Sequence, residues 1–146
     1  MLRGNSPAKI DDKGRLKIPN AFRAVIQEEH GREVFVTSLS GDSVRIYPMP
    51  VWLDIERKLA QAPSTHPARL KFLDRVNFYG QVAEFDHQGR VLIQTRVRES
   101  ALMTGEVDVL GKYDFLEVWN HDRFLTKLIR EPFTDDDARA LADYGI

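Results

Sequence analysis

The sequence predicts a mainly β protein with short helices, in the α+β class. Runs of alternating apolar and polar residues are short and are separated by turn residues, as in VFVTS and SVRIY around the turn at 40–42. A 14-residue stretch also recurs 75 positions later in the chain. With 42% hydrophobic and 29% charged residues among 146, the chain has the composition of a globular protein that can bury a core.

The recurring stretch indicates an internal duplication. Residues 10–23 read IDDKGRLKIPNAFR and residues 85–98 read FDHQGRVLIQTRVR. An ungapped alignment of 8–23 with 83–98 gives six identities in sixteen positions, where about one is expected by chance. The identical pairs are Ala8/Ala83, Asp11/Asp86, Gly14/Gly89, Arg15/Arg90, Ile18/Ile93 and Arg23/Arg98. We therefore interpret the chain as two copies of a module of about 50 to 55 residues.

Each copy begins with a predicted hairpin. A strand ends at the Asp, the Asp-x-x-Gly turn ends at a glycine that tolerates positive φ, and a new strand starts at the Arg. Side chains alternate along a strand, so Leu16 and Ile18 should face the core while Arg15 and Lys17 face away. Pro19 then ends the strand and suits the start of a helix.

Helices and a second hairpin complete each copy. The first helix should bury the stripe Phe22, Val25 and Ile26, which has i, i+3, i+4 spacing. In the second copy VDVLG and FLEVW surround a turn at 112–114, and amphipathic helices are predicted at 50–60 and 121–130. One module cannot cover both faces of its hairpins, so two copies should pack into one barrel-like β core.

The chain divides into four predicted segments. They are the first repeat (1–62), a bridging helical segment (63–80), the second repeat (81–130) and an acidic C-terminal tail (131–146). In the bridging helix Leu70, Leu73 and Val76 share one face, which favours packed core over a cofactor site. In the tail Thr134 is a candidate N-cap, and the acids after it suit a helix N-terminus.

Charge is polarised between the two ends of the chain. The net charge is −1, yet residues 1–23 carry 6 − 2 = +4 and residues 131–146 carry 1 − 5 = −4. A basic N-terminal region suits phosphate binding. A merely solvated charged surface is the alternative.

Other features argue against several classes of protein. The absence of cysteine excludes disulfides and thiolate metal sites. His30, His66, His87 and His121 lack metal-like spacing, and no nucleophile elbow, P-loop or dinucleotide motif occurs. We expect no enzyme activity, cofactor, metal or small-molecule ligand. No apolar run reaches the roughly 20 residues of a membrane span, and the first residues lack the apolar middle of a signal peptide. We therefore expect a cytoplasmic protein with no membrane partner.

Several stretches together carry a family resemblance. MLRG, IDDKGRLKIPNAFR, YPMPVW, FDHQGRVLIQTRVR and FLEVW occur in this order within residues 1–130. They closely resemble the MraZ family of bacterial transcription regulators, which contain tandem SpoVT-AbrB-like modules. The resemblance implies a swapped-hairpin β-barrel and a ring-shaped, nucleoid-associated homo-oligomer. It further implies binding to short direct repeats in double-stranded DNA upstream of the division and cell-wall gene cluster, including the protein's own gene, with repression. The family's DxxxR motif falls on Asp11 with Arg15 and on Asp86 with Arg90.

The same residues can be assigned roles from their chemistry. A guanidinium at the start of a rigid strand can reach a phosphate or the edge of guanine, while its Asp orients it or accepts turn amides. The predicted turn-shaping residues are Asp11, Gly14, Asp86 and Gly89. A purely structural Asp–Arg pair remains an alternative, as does an assembly module that binds only protein partners.

The two copies differ around this motif. Lys9, Lys13, Lys17 and Pro19 are replaced by Glu84, Gln88, Leu92 and Gln94. We predict that the first turn carries most of the DNA binding, while Arg90 is secondary or structural. The candidate DNA contacts are Arg15 and Lys13, supported by Arg3, Lys9 and Lys17, and in the second copy Arg90 and Gln88.

Overall fold

The computed structural model describes residues 1–146 as a mixed α+β structure of eight strands and six helices. The strands are β1 (Asn5–Lys9), β2 (Arg15–Lys17), β3 (Glu33–Thr37), β4 (Val44–Pro48), β5 (Gln81–Glu84), β6 (Arg90–Leu92), β7 (Glu106–Gly111) and β8 (Leu116–Asn120). The helices are α1 (Asn20–His30), α2 (Met49–Leu59), α3 (Pro67–Phe78), α4 (Thr95–Ser100), α5 (His121–Arg130) and α6 (Asp135–Ala142).

Six strands form one antiparallel sheet in the order β1-β7-β8-β4-β3-β5, and β2 and β6 form a separate two-stranded sheet. The larger sheet is open, because β1 and β5 each have one neighbour and lie at its edges. The prediction of a closed barrel is therefore wrong. Pro7 lies in β1 and has no N–H for a second neighbouring strand, as suits an edge. β2 and β6, which follow the edge strands, pair with each other instead of closing the sheet.

The predicted hairpins have two different outcomes. The second hairpin of each half is confirmed, because β3 pairs with β4 and β7 pairs with β8. The first hairpin of each half is more open than predicted. β1 and β2 are joined by a single bridge between Ile10 and Leu16, after which β1 pairs with β7 and β2 with β6. Pairing across the halves lets the short strands bury Leu16 and Val91 in a common core, which neither half could cover alone.

The two halves contain the same order of elements, namely two strands, a helix, two strands and a helix. The order of strands in the sheet is symmetric about the central pair β8 and β4. On either side of this pair, β7 corresponds to β3 and β1 corresponds to β5, which have the same places in the two halves. β2 and β6 lie together in the same way. The duplication itself remains a prediction.

One core of 19 buried residues joins both halves. Leu16 and Ile18 are completely buried and Lys17 is exposed, which confirms the predicted faces of β2. Phe22 and Ile26 of α1 are buried as well, and Val25 packs against the core while remaining partly exposed. Each such large apolar side chain stabilises the fold by about 1.5 to 3 kcal/mol.

A second, smaller core lies around α2 and α3. It consists of Phe35, Tyr47, Trp52 and Val76, and Trp52 stacks on Phe35 with ring centroids 4.6 Å apart. The helix predicted between the two halves is confirmed as α3. Val76, on the face predicted to pack in the core, is buried. Leu70 is 48% exposed, so the buried face of α3 is narrower than predicted.

The helices of the second half end the chain. α5 spans 121–130 as predicted, and α6 begins after Thr134, whose hydroxyl accepts the Asp137 amide in a capping box. Neither α5 nor α6 contains a buried residue. None of the helices combines the length and the apolar character needed to cross a membrane.

Candidate nucleic-acid interface

The two Asp-x-x-Gly-Arg turns have nearly identical geometry. In the first, Asp11 Oδ1 accepts the backbone amides of Lys13 at 3.0 Å and Arg15 at 2.8 Å. Asp11 Oδ2 accepts Nε of Arg15 at 2.8 Å. The carboxylate therefore closes the turn with one oxygen and fixes the guanidinium with the other.

The second turn repeats these contacts. Asp86 Oδ1 accepts the amides of Gln88 and Arg90, each at 2.8 Å, and Oδ2 accepts Nε of Arg90 at 2.8 Å. In both turns the glycine amide also donates to the carbonyl of the Asp at 3.0 Å. This agrees with the expected turn-shaping role of the two aspartates.

Hydrogen bonding keeps both aspartates ionised. The Arg15 amide is the first cause that lowers the pKa of Asp11; burial opposes it, and the Arg15 side chain and the Lys13 amide lower the pKa further. The Arg90 amide is the first cause that lowers the pKa of Asp86 to about 2, and the Arg90 side chain adds to it. Both carboxylates are therefore charged near neutral pH and stay paired with their arginines.

The glycines of the turns are required for two reasons. Gly14 has φ +83° and Gly89 has φ +76°, a region that residues with a Cβ rarely adopt. A Cβ on Gly14 would also lie 2.7 Å from Cζ of Arg98, and a Cβ on Gly89 would lie 2.7 Å from Cδ of Arg23. An arginine from α4 thus covers the first turn, and one from α1 covers the second.

Sequence reasoning gave these covering arginines no role. Arg23 and Arg98 are one of the six identical pairs in the alignment. Arg98 Nη1 donates to the carbonyl of Ile93 at 2.7 Å, which fixes it against the residue that follows β6. The signal that could have identified them is their equal distance from the glycine, nine residues in each copy.

The short β2–β6 sheet brings the two turns together. Lys17 lies opposite Arg90 in its register, and Arg15 lies opposite Leu92. Asp11 Oδ2 is 4.0 Å from Nη1 of Arg90, so this carboxylate faces both motif arginines. The backbone joins the turns as well, since Ile18 donates to the Gly89 carbonyl at 3.0 Å and Ile93 to the Gly14 carbonyl at 2.8 Å.

The motif arginines keep part of their donor capacity free. Their side chains are 32% and 26% exposed for Arg15 and Arg90, respectively. The Nη nitrogens of neither arginine have a hydrogen-bond partner in the chain, and Nη1 of Arg90 lies 4.0 Å from Asp11. Arg15 can therefore offer a rigid pair of donors to a phosphate or a base edge.

The predicted lysines lie beside these turns. Lys13 lines a surface depression with Arg96 and Arg98 of α4. Lys9 and Lys17 line another depression, next to the start of α1. The basic side chains of the first turn thus continue onto α4 of the second half, where Arg96 and Arg98 add positive charge that sequence reasoning did not include.

Of the predicted contacts Arg3 and Gln88, only Arg3 lies away from the turns. Arg3 lies next to Gly111, beyond the end of β1 that is farther from the turn at Asp11. By the rise per residue of a strand, Arg3 is roughly 25 Å from that turn. Gln88 is exposed at the second turn, where its backbone amide donates to Asp86. The structure brings the other candidate contacts together and leaves Arg3 apart from them.

The histidines lie at separate places. His66 caps α3 by accepting the Ala68 amide at 3.1 Å, while His87 is exposed in the second turn. His121 Nδ1 lies 2.7 Å from the buried Asp108, which is the first cause that raises the pKa of His121. No group of three or more His, Asp and Glu side chains is arranged to hold a metal ion.

Comparison with known proteins identifies the family. The model of a family described as "MraZ protein, putative antitoxin-like" matches residues 1–75 and 80–144. The chain belongs to the MraZ family. A relative from Acidobacterium capsulatum named Transcriptional regulator MraZ is 49% identical over 146 residues, 100% of each chain. Relatives with the same name from Koribacter versatilis and Nitratidesulfovibrio vulgaris are 46% and 35% identical, covering 100% of this chain and 100% and 97% of their own.

The MraZ assignment confirms the resemblance read from the sequence stretches. The turns at Asp11 with Arg15 and at Asp86 with Arg90 both lie within the residues that the family model matches. The roles of the individual residues in DNA binding remain predictions.

Proposed function

We propose that this protein is a sequence-specific DNA-binding transcriptional regulator that contacts DNA through the turns at Asp11 and Asp86. The observation that carries the proposal is the pairing of β2 with β6, which places two carboxylate-oriented arginines on one small surface. The names of the MraZ relatives support a role in transcription.

The geometry of Arg15 suits direct reading of DNA. Asp11 holds Nε, so the guanidinium is fixed in orientation while its outer nitrogens stay free. A fixed guanidinium loses little conformational entropy on binding and can donate two hydrogen bonds to guanine or to one phosphate. Lys13, Lys9 and Lys17 would bind phosphates as point charges, which adds affinity without sequence information.

The first turn carries most of this binding in the proposal. Lys13 is replaced by Gln88 in the second turn, and Arg90 is shared between Asp86 and the nearby Asp11. Arg90 is therefore a secondary contact or a structural residue.

The chain as a whole acts as two fused modules. The equal order of elements in the halves, the symmetric strand order and the two separate matches of the family model support a duplication. The pairing of β1 with β7 and of β5 with β3 supports an exchange of strands between the copies, within an open sheet.

The family resemblance extends the proposal to targets and assembly. The protein would form a ring-shaped homo-oligomer that binds short direct repeats upstream of the division and cell-wall gene cluster and represses that cluster and its own gene, in the cytoplasm at the nucleoid. A ring makes successive contacts intramolecular after the first, which raises avidity. Avidity reconciles DNA binding with a net charge of −1.

Fluorescence anisotropy tests the DNA-binding proposal. Wild type and Arg15→Ala are titrated with labelled DNA from upstream of the protein's own gene and with a shuffled sequence, at two salt concentrations. The matched control is Arg57→Ala, which removes an exposed arginine on α2, far along the chain from the turns. We expect selective, salt-sensitive binding that Arg15→Ala weakens and Arg57→Ala leaves unchanged. Equal affinity for both DNAs in a folded oligomer contradicts the proposal.

The second candidate function is an assembly module that binds only proteins. It is favoured by the exposed apolar residues of α5, of which Ile129 is 80% exposed. Absence of any DNA binding by a folded oligomer would support this candidate.

A further inference from the structure

A wide groove of about 790 Å³ lies between α5 and the outer face of the central strands β4 and β8. Leu116 and Val118 of β8 lie in the core, so the alternating Glu117 and Trp119 face the groove. Five basic side chains line what we call the basic groove, namely Arg45, Lys112, Arg123, Lys127 and Arg130. Three carboxylates also line it, so its formal charge is 5 − 3 = +2. An excess of positive charge in a groove attracts anions.

The corresponding face of α2 in the first half is apolar. α2 follows β4 as α5 follows β8, and counting from the ends of these strands places Val51 and Ile55 at the positions of Arg123 and Lys127. Val51 and Ile55 pack against the second core together with Phe72 of α3. In the second half the same helix face is basic, and no residue of α6 lines the groove. The fold closes this space with apolar side chains in one half, so the cations of the other half indicate binding and not packing.

The three cations of α5 lie along one face of the helix. Arg123, Lys127 and Arg130 have i, i+4, i+7 spacing, which places them on the side opposite the exposed Leu125 and Leu128. At the rise of an α-helix, Arg123 and Arg130 are about 10 Å apart along the axis. One small anion cannot contact both ends of such a row, whereas a chain of phosphates can. The arrangement therefore suits a polyanion.

At the floor of the groove one carboxylate faces two cations. Glu117, whose side chain is 12% exposed, lies 3.6 Å from Nε of Arg45 and 4.0 Å from Nζ of Lys112. Glu117 also accepts Nε1 of Trp119 at 2.8 Å. A single negative charge cannot neutralise both cations, so the floor keeps a net positive charge.

At the rim of the groove the ion pairs are exposed. Lys127 lies 2.6 Å from Glu131, and Arg123 lies 3.8 Å from Asp42. The two carboxylate side chains are 66% and 64% exposed, respectively. Exposed pairs of this kind are weak, so a phosphate can compete with these carboxylates for the cations. The Arg130 side chain is exposed and has no ion-pair partner in the chain.

The basic groove meets the depression beside the first turn. Ser100 of α4 lines that depression together with Lys13, Arg96 and Arg98. Arg123 Nη1 donates to the Ser100 carbonyl at 3.3 Å, so the two surfaces join at this contact. Basic side chains therefore continue from the first turn across α4 to α5. A continuous row of cations suits the regularly spaced phosphates of a nucleic acid.

We propose that the basic groove binds the phosphate backbone of the same DNA that the first turn contacts. This inference rests on the DNA binding of the proposed function and adds a second contact region to it. Phosphate contacts hold a protein on the duplex without reading its sequence. The groove therefore raises the affinity for operator DNA and for unrelated DNA by the same factor, whereas the arginines of the turns provide the selectivity.

A double variant of the full-length chain tests the groove. Lys127→Gln with Arg130→Gln removes two cations from the last turn of α5, and the matched control Arg57→Gln with Lys58→Gln removes two from the last turn of α2. Anisotropy is measured with DNA from upstream of the protein's own gene and with a shuffled duplex, at several salt concentrations. We expect the α5 variant to bind both DNAs about tenfold more weakly, with a salt slope lower by about two phosphate contacts. The α2 variant should bind as the wild type does.

The converse variant removes a competing carboxylate. Glu131→Gln frees Lys127 from its ion pair, and the matched control Asp54→Asn frees Arg57 and Lys58 on α2. We expect Glu131→Gln to bind both DNAs about threefold more tightly and with a steeper salt dependence, because a cation of the groove becomes available to phosphate. Asp54→Asn should leave the affinity unchanged.

The same titrations separate failure of the groove from failure of the proposed function. If Arg15→Ala weakens binding while the α5 double variant keeps the affinity and salt slope of the wild type, the groove proposal is overturned and the proposed function stands. Absence of selective DNA binding by the wild type overturns both. Sedimentation velocity is measured on the same samples. A double variant that binds DNA normally but forms a smaller oligomer would assign the groove to a second copy of the chain and overturn its role in DNA binding.

Discussion

The turns that begin at Asp11 and Asp86 hold their arginines with the same hydrogen bonds but differ in the charges around them. In both turns one carboxylate oxygen binds two amides and the other binds Nε of the arginine. Lys13 of the first turn has Gln88 as its counterpart, and Lys9 has Glu84. The comparison separates two properties: the Asp, Gly and Arg residues define the geometry of a turn, and the neighbouring residues determine how strongly it attracts an anion.

The largest effect should come from filling the space above a turn glycine. Gly14→Ala places a Cβ at a positive-φ position and displaces the guanidinium of Arg98, so we expect a loss of about 2 kcal/mol of stability. Gly89→Ala should lose a similar amount, because Arg23 occupies the corresponding space. Thermal and denaturant unfolding measure both losses.

Gly4→Ala is the matched control for the glycine variants. Gly4 also has positive φ, +91°, but a Cβ there would meet nothing within 4 Å. It should lose only the conformational part, about 1 kcal/mol. Equal losses in Gly4→Ala and Gly14→Ala would contradict a steric role for Arg98.

A smaller effect should follow from exchanging the charges of the two turns. Lys13→Gln should lower DNA affinity about threefold to tenfold and reduce the salt dependence by about one phosphate contact, since it removes one cation from the stronger turn. Gln88→Lys should raise affinity by a comparable or smaller factor. Anisotropy titrations at several salt concentrations give both quantities. If both substitutions left the salt slope unchanged, neither turn would lie near phosphates.

The smallest expected effect concerns acid stability. The folded-state pKa of Asp86 is lowered to about 2 from the ordinary 3.8. A lowered folded-state pKa means that the stabilisation is fully present above pH 3.8 and is lost as the pH falls toward 2. Asp86→Asn should therefore flatten the decline of stability over this range, as followed by chemical denaturation at each pH. Asp11→Asn should do the same to a lesser degree, and an unchanged acid profile in both variants would contradict the proposed ionisation.

Local features of the fold could be predicted from the sequence, whereas contacts between distant segments could not. The faces of β2, the Gly14 and Gly89 turns and the Thr134 cap depend on neighbouring residues, and all are confirmed. Closure of the sheet was predicted wrongly because pairing of β1 with β7 depends on segments about 100 residues apart, which periodicity does not reveal.

The same distinction holds for the candidate site. The Asp–Arg contacts lie within five residues of each other and follow from the turn motif. The packing of Arg98 over Gly14 and of Arg23 over Gly89 joins opposite halves, so a single sequence gives no direct sign of it. The distance between Arg3 and the turns likewise follows from the direction of β1 in the sheet.

The most direct test compares Arg15→Ala with Arg90→Ala in binding to DNA from upstream of the protein's own gene. Arg15 lies in the turn that contains Lys13, while Arg90 lies in the turn that contains Gln88 and is close to two carboxylates. We predict that Arg15→Ala weakens binding by about 1 to 3 kcal/mol, the value of a lost guanidinium contact to DNA, and that Arg90→Ala weakens it less. A larger loss for Arg90→Ala, with both variants folded, would contradict the account.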